Sequence, residues 1–148
     1  AAPIVRSFLG RHMENESNGV RLTAEDFMRK RVYKVQKTAH TLECIDIMQR
    51  RDVNSLIVLD ENDTYLGTVW IETIRAQGKA GREIGELVTT DVPTVQKDDD
   101  AREAFDKLLS STANYVVVLN RDKTVAGIIT RTSTAKALGE ALWGEMPS

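Results

Sequence analysis

The sequence predicts an α/β (α+β) fold made of two tandem copies of one β-α-β-β-α unit, related by a pseudo-twofold, with helices covering small mixed sheets. Three observations predict it. First, segments recur 60 positions apart with no insertion: Val32-Tyr33-Lys34-Val35-Gln36-Lys37 returns as Val92-Pro93-Thr94-Val95-Gln96-Lys97, Asp46 as Asp106, Asn54 as Asn114, Val58-Leu59 as Val118-Leu119, Thr64 as Thr124 and Gly67 as Gly127. A constant offset marks two copies of one unit packed together. Second, each copy holds a nearly continuous apolar run, Ser55-Leu56-Ile57-Val58-Leu59 or Tyr115-Val116-Val117-Val118-Leu119, which reads as a strand buried on both faces. Third, the stretch before each run has helical apolar spacing.

The elements follow in order. Ile4, Val5, Phe8 and Leu9 have helical spacing and end at Gly10, and the polar stretch 11–19 reads as a linker. Thr23-Ala24-Glu25-Asp26 opens a short helix, with a threonine able to cap it and acids suited to its positive end. Each copy then starts on an extended entry, 32–37 or 92–97. The helix of copy two carries Ala101, Ala104, Phe105, Leu108 and Leu109 as a core-facing stripe; copy one has Thr41, Cys44, Ile45 and Met48. Asp98-Asp99-Asp100 look like a carboxylate cluster, but their place before a helix suits cap and dipole duty. After the buried strand comes a polar turn, 60–64 or 120–124, which makes a hairpin. The return strands are read at 65–71 and 125–130, and closing helices at 72–77 and 132–143. Gly78 to Gly81 loosen the join. The domain reading is 1–22 as linker or tail of an upstream domain, 23–82 as copy one and 83–148 as copy two with its C-terminal helix.

Composition narrows the function. At 148 residues, 41% hydrophobic and 28% charged, the chain is globular, and each copy alone is marginal in size, so the two are expected to share a core. A net charge of −2 gives no drive toward DNA, RNA or anionic lipid, so any anion site must be local. Cys44 is the single cysteine, which excludes an internal disulfide and suits a cytosolic setting. No apolar run reaches membrane-spanning length and no signal peptide is visible. The chain opens on Ala1-Ala2-Pro3 rather than Met, which points to a fragment.

This order of elements, with Gly67 and Gly127 inside the last strands, resembles the cystathionine-β-synthase (CBS) repeat, and two in tandem look like a Bateman module, over about residues 23–143. Phe8-Leu9-Gly10 with its charged linker resembles the junction after the ATPase domain of osmoprotectant ABC transporters. Asp26-Phe27-Met28, Thr94-Val95-Gln96-Lys97, Ala126-Gly127-Ile128-Ile129-Thr130-Arg131 and Leu142-Trp143-Gly144 are similar to the tail of the glycine betaine/carnitine/choline ATP-binding subunit family. The resemblance implies a sheet-to-sheet pseudo-twofold and homodimerisation into a disk. It implies a small adenine-nucleotide ligand, with cyclic di-AMP for this branch. It also implies an upstream ATPase domain, a transporter permease as partner, and a cytoplasmic place peripheral to the membrane.

The candidate ligand chemistry lies where the last strand of copy two meets a helix, Gly127-Ile128-Ile129-Thr130-Arg131-Thr132-Ser133. Hydroxyls of Thr130 and Ser133 and the planar fork of Arg131 suit phosphate. Gly127 leaves room for a base beside Ile128. Tyr115 offers a ring for stacking, or equally a strand aromatic filling the core. Arg131 is either a phosphate partner or a solvated charge. Val53 and Ser55 of copy one face the same seam, and Tyr33 is also assigned to the ligand site. Copy one has Trp70 for Thr130, Ile71 for Arg131 and Ser55 for Tyr115, with Glu72 where phosphate would sit, so copy one is the degenerate half. The family's ribose-gripping aspartate is replaced by Thr73 or Ser133, which favours a ligand held by bases and phosphates. Trp70 and Trp143 read as packing or dimer contacts. His12 and His40 lack companions at metal-ligand spacing, and neither a nucleophile–base pair nor a phosphate loop is visible, so no cofactor, metal or catalysis is expected. The competing readings are an ionic-strength sensor without ligand, an AMP/ATP-type sensor and a pure dimerisation module.

Overall fold

The computed structural model describes residues 21–77 and 81–143. The helix expected near residues 4–9, the linker 11–19, the loosened join at 78–80 and the side-chain role of Trp143 lie outside the described residues.

Copy one comprises β1 (Lys34–Gln36), α1 (Thr41–Arg51), β2 (Ser55–Leu59), β3 (Tyr65–Trp70) and α2 (Ile71–Gln77). Copy two comprises β4 (Thr94–Gln96), α3 (Ala101–Ser110), β5 (Tyr115–Leu119), β6 (Val125–Thr130) and α4 (Arg131–Trp143). A 3-10 turn precedes each copy, Ala24–Phe27 and Ile84–Leu87. Each sheet has three strands, ordered β1-β2-β3 and β4-β5-β6, with the outer pairs parallel and antiparallel respectively. The registers repeat at the same offset: Val35 pairs with Val58 and Val58 with Gly67, while Val95 pairs with Val118 and Val118 with Gly127.

Local chemistry explains the boundaries. In α1 the buried stripe is Thr41, Cys44 and Met48, and the helix ends at Asp52 in the left-handed region (φ 55°). In α3 the Asp100 carboxylate accepts from the Arg102 backbone N–H at 2.8 Å, the cap expected of it. Asp99 instead accepts from the Gln96 N–H, and Asp98 from Arg121. The expected stripe of α3 needs one correction: Leu109 is 71% exposed. The core face of this ten-residue helix holds Ala101, Ala104 and Leu108, with half-buried Phe105 packed at its edge. The return strand of copy one ends at Trp70 because the Ile71 N–H bonds to the Asn54 carbonyl at 2.9 Å, and α2 starts without a loop.

The two copies exchange their leading 3-10 turns. Ala24 and Phe27 precede copy one in sequence but sit in the core of copy two, with Val95, Ala104, Leu108, Val116 and Ile129. Ile84 and Leu87 sit in the core of copy one, with Val35, Met48, Leu56 and Val69. The backbone bonds are reciprocal. Ala24 N–H donates to Asp99 O (2.9 Å) and Ile84 N–H to Ala39 O (2.7 Å); Glu25 N–H donates to Lys97 O (3.0 Å) and Gly85 N–H to Lys37 O (2.8 Å). A third apolar cluster fills the seam between the sheets, from Ile57 and Leu59 on one side and Val117, Leu119 and Ile128 on the other. Thr64 and Thr124 bridge at the pseudo-twofold itself.

Candidate functional site

The seam opens into a cleft of about 410 Å³ whose walls come from both copies. The segment after the first 3-10 turn makes one wall. Arg29 and Ile128 exchange backbone hydrogen bonds at 2.7 and 3.0 Å, which adds residue 29 to the edge of β6 and sets the Arg29 side chain at the cleft. Strand entry β1 brings Val32 and Tyr33, the left-handed end of α1 brings Asp52, Val53 and Asn54, and β2 brings Ser55. From copy two come Asn114, Tyr115, Ile128 and Thr130. Asn114 has φ 68°, a left-handed position that asparagine tolerates better than most residues.

Six residues singled out in the sequence therefore meet here: Tyr33, Val53, Ser55, Tyr115, Ile128 and Thr130. Two stand apart. Arg131 is exposed on the first turn of α4 and is not part of the cleft wall. Ser133 is committed to the backbone: its hydroxyl donates to the Phe27 carbonyl at 2.9 Å and accepts from the Thr130 N–H at 2.9 Å, while Thr130 Oγ1 accepts from the Ser133 N–H at 2.9 Å, so the two residues cap α4 reciprocally and Ser133 pins the exchanged turn. The bare Cα of Gly127 also serves the exchange. A Cβ there would meet Arg29 O at 2.6 Å and Met28 Sδ at 3.0 Å, so the space is taken by the chain itself. Arg29 escaped the sequence reading because its place depends on that exchange. A signal was present: Ala24 and Phe27 recur as Ile84 and Leu87 at the same offset, so the repeat begins earlier than residue 32.

Hydroxyl bonds across the seam fix the Tyr115 ring. Its hydroxyl lies 3.2 Å from Ser55 Oγ and 3.5 Å from Thr68 Oγ1, and burial pushes its pKa up, so it remains a neutral hydrogen-bonding phenol. Tyr33 carries the Arg51 guanidinium 5.5 Å from its ring centroid, a cation–π contact near the cleft. The pseudo-equivalent side is furnished differently: a hollow of about 370 Å³ lies there, with Val92, Pro93 and Thr112 at the places of Val32, Tyr33 and Asp52. Trp70, at the place of Thr130, stands 6.2 Å from the Tyr115 ring, and its Nε1–H donates to Asp91 at 3.3 Å. Pro93 replaces Tyr33, and buried Ala113 replaces Val53. Trp70 thus has its partners within the chain. Among the described residues no group of His, Cys, Asp and Glu is placed to hold a metal, and no helix is long and apolar enough to cross a membrane.

The family model for the CBS domain matches residues 24–69 and 84–140. The chain is 28% identical over 145 residues to the glycine betaine/carnitine/choline transport ATP-binding protein OpuCA of Bacillus subtilis, covering 98% of this chain and 38% of that protein. Among solved structures it is similar to Staphylococcus aureus OpuCA, with a TM-score of 0.63, 23% identity, and coverage of 77% of this chain and 97% of that one. It is also similar to CBSX2 of Arabidopsis thaliana solved in complex with AMP, with a TM-score of 0.68, 22% identity, and coverage of 80% and 97%. With two matched repeats, a sheet register that returns at a constant offset and reciprocal exchange of the leading turns, the chain belongs to the CBS-domain family as a tandem CBS pair, and its homologues include ATP-binding subunits of osmoprotectant ABC transporters.

Proposed function

We propose that this CBS pair is the ligand-sensing module of an osmoprotectant importer, cytoplasmic and attached through an ATPase domain to the membrane permease, and that it senses cyclic di-AMP. The observation that carries this reading is the cleft itself: two tyrosine rings, one arginine and one threonine converge on a hollow that both copies build. Tyr33 and Tyr115 suit a base, Arg29 and Thr130 suit phosphate, and Ile128 and Val53 supply apolar walls.

The distribution of polar groups favours a ligand held by bases and phosphates over one gripped by its ribose. The position that would carry a ribose-binding aspartate is Ser133, and its hydroxyl is already bonded to Phe27 and Thr130. A twofold-symmetric ligand suits a homodimer, in which two clefts meet. Exposed Leu42 (63%) and Leu109 (71%) offer apolar area for such a pairing. Because the cleft spans both copies, a bound ligand stabilises one relative arrangement of them, and that differential affinity is what an attached ATPase would read.

Calorimetric titration tests the reading. Cyclic di-AMP binds the parent chain. Arg29→Ala removes a charge-assisted contact worth about 1.5–3 kcal/mol, a loss of about tenfold to a hundredfold. Tyr33→Ala loses a comparable amount through stacking, about 1–3 kcal/mol. Arg131→Ala costs less, and Glu72→Gln, on the exposed first turn of α2, changes nothing. If AMP or ATP alone binds, the ligand is an ordinary adenine nucleotide. If no nucleotide binds and the dimer responds only to salt, the ionic-strength or dimerisation reading replaces this one.

A further inference from the structure

Four hydroxyls meet at the seam, and the cluster has no twin at the offset of 60. Among the described residues the buried polar side chains are Thr41 and Thr68, and Thr68 is fully buried. Its Oγ1 lies 3.5 Å from the Tyr65 hydroxyl and 3.5 Å from the Tyr115 hydroxyl, which in turn lies 3.2 Å from Ser55 Oγ. The places equivalent to Tyr65 and Thr68 in copy two are Val125 and Ile128, so the same cluster cannot form there. Burial pushes the pKa of both phenols up, so each of the four hydroxyls keeps its one proton at neutral pH. The proton count gives the cluster a direction. Tyr115 has one proton and two acceptors in reach, Ser55 Oγ and Thr68 Oγ1. When Ser55 donates to Tyr115, the Tyr115 proton goes to Thr68. When Ser55 donates outward, into the cleft that it lines, its Oγ accepts the Tyr115 proton and Thr68 is left to Tyr65.

The consequence reaches the other side of the seam. Ser55 pairs with Trp70, and Ile57 with Thr68, across β2 and β3, so Ser55, Thr68 and Trp70 share the sheet face that meets Tyr115. The Trp70 ring stands 6.2 Å from the Tyr115 ring. Trp70 Nε1–H and the Thr89 hydroxyl both donate to Asp91, at 3.3 and 2.7 Å, and Asp91 borders the hollow of about 370 Å³ on the opposite side. We infer that the Tyr115 hydroxyl is a two-position switch, bonded to Thr68 when Ser55 turns its proton inward and to Ser55 when an anionic oxygen in the cleft draws that proton outward, and that Trp70 carries the change to Asp91. An anionic oxygen accepts the Ser55 proton more strongly than water does. Bonds between neutral hydroxyls are close in free energy, so that difference is enough to shift the population. The switch is a property of the chain itself, and only its ligand arm rests on the nucleotide reading.

The NMR signal of the Trp70 indole N–H tests the switch. Trp143→Phe leaves Trp70 as the single indole, and that chain serves as parent for the other variants. Ser55→Ala confines the Tyr115 proton to Thr68. Thr68→Val, which keeps the side-chain volume, confines it to Ser55. The parent signal is expected between those of the two variants, on the line that joins them. Thr68→Ser restores a hydroxyl and returns the signal toward the parent, which separates the switch from a packing defect. Ser55 is also the cross-strand neighbour of Trp70. A direct effect of its removal survives in a Tyr115→Phe background, whereas the switch effect is lost there. Both variant signals displaced to the same side of the parent, or a Ser55→Ala shift that persists with Tyr115→Phe, overturns the switch. Cyclic di-AMP that binds by calorimetry moves the parent signal toward that of Thr68→Val. Binding without this movement overturns the switch and leaves the nucleotide cleft standing. Absence of binding overturns the nucleotide reading, and the variants still decide the switch.

Discussion

Single residues here often answer to a partner in the other copy. Gly127 and Gly67 illustrate it: each lies on the return strand where the other copy's leading segment passes, and Gly67 meets Val88 and Thr89 as Gly127 meets Met28 and Arg29. Gly127→Ala drives a methyl to 2.6 Å from the Arg29 carbonyl oxygen, so the expected cost is about 1–3 kcal/mol, read as a lower denaturant midpoint, with weaker nucleotide binding because Arg29 shifts. Cys44 makes a second prediction. The side chain is fully buried on α1, and desolvation pushes its thiol up to about 11. The folded state then holds the proton more tightly than the unfolded chain does. Its contribution to stability is intact below the unfolded value near 9 and falls as pH rises toward 11, by on the order of 1.4 kcal/mol per pH unit. Labelling by a thiol reagent at neutral pH is expected to follow global unfolding. Rapid labelling of the folded protein would contradict the burial.

At the scale of elements, the exchanged 3-10 turns matter more than their length suggests. Phe27 is nearly fully buried and meets Phe105 edge-to-face, with centroids 4.9 Å apart and planes at 76°. It stands before copy one in the chain and inside copy two in space. Phe27→Ala is therefore expected to cost about 3–5 kcal/mol, and hydrogen exchange is expected to lose protection first in β5 and α3, not in the neighbouring β1 and α1. Equal loss in both copies would show that the exchange does not divide the cores in this way. The strands, by contrast, are local in origin. Their apolar runs are long enough to be buried on both faces, and the hairpins turn at Asp63 and Lys123, which sit at φ 62° and 69° at matching places.

Over the whole molecule the symmetry is close in backbone and broken in side chains. Trp70, Pro93 and Ala113 stand where Thr130, Tyr33 and Val53 stand on the open side. Only one of the two seam clefts is therefore furnished with two tyrosine rings, an arginine and a threonine. Trp70→Thr, which copies the open side's Thr130, is expected to clear space next to Tyr115. The loss of packing and of the bond to Asp91 costs about 2–4 kcal/mol. The ligand bound per chain rises above the parent's if the vacated side then accepts nucleotide. An unchanged stoichiometry in a folded variant would show that Arg29 and Tyr33, not the tryptophan, decide which side binds.

By itself the sequence determined the repeat, the type of each strand and α-helix of the two copies, the limits of the central and return strands to within a residue, the Asp100 cap and six residues of the cleft. These are legible because they follow local rules. Apolar period separates strand from helix, acids and Asx residues mark helix starts, and an unvarying offset carries every reading from one copy to the other. The tertiary structure alone decided which copy each 3-10 turn joins, and with it the place of Arg29, the capping role of Ser133 and the close approach at Gly127. It also left Leu109 outside the core. Apart from Leu109, those outcomes depend on contacts between segments far apart in the chain, from Ile84 against Ala39 to Ser133 against Phe27. Two near-identical cores offer almost the same pocket for a short apolar turn, so no local pattern separates a turn that folds onto its own copy from one that crosses over. The choice is made by packing across the seam, where Phe27 fits against Phe105 and Ile84 enters the opposite core.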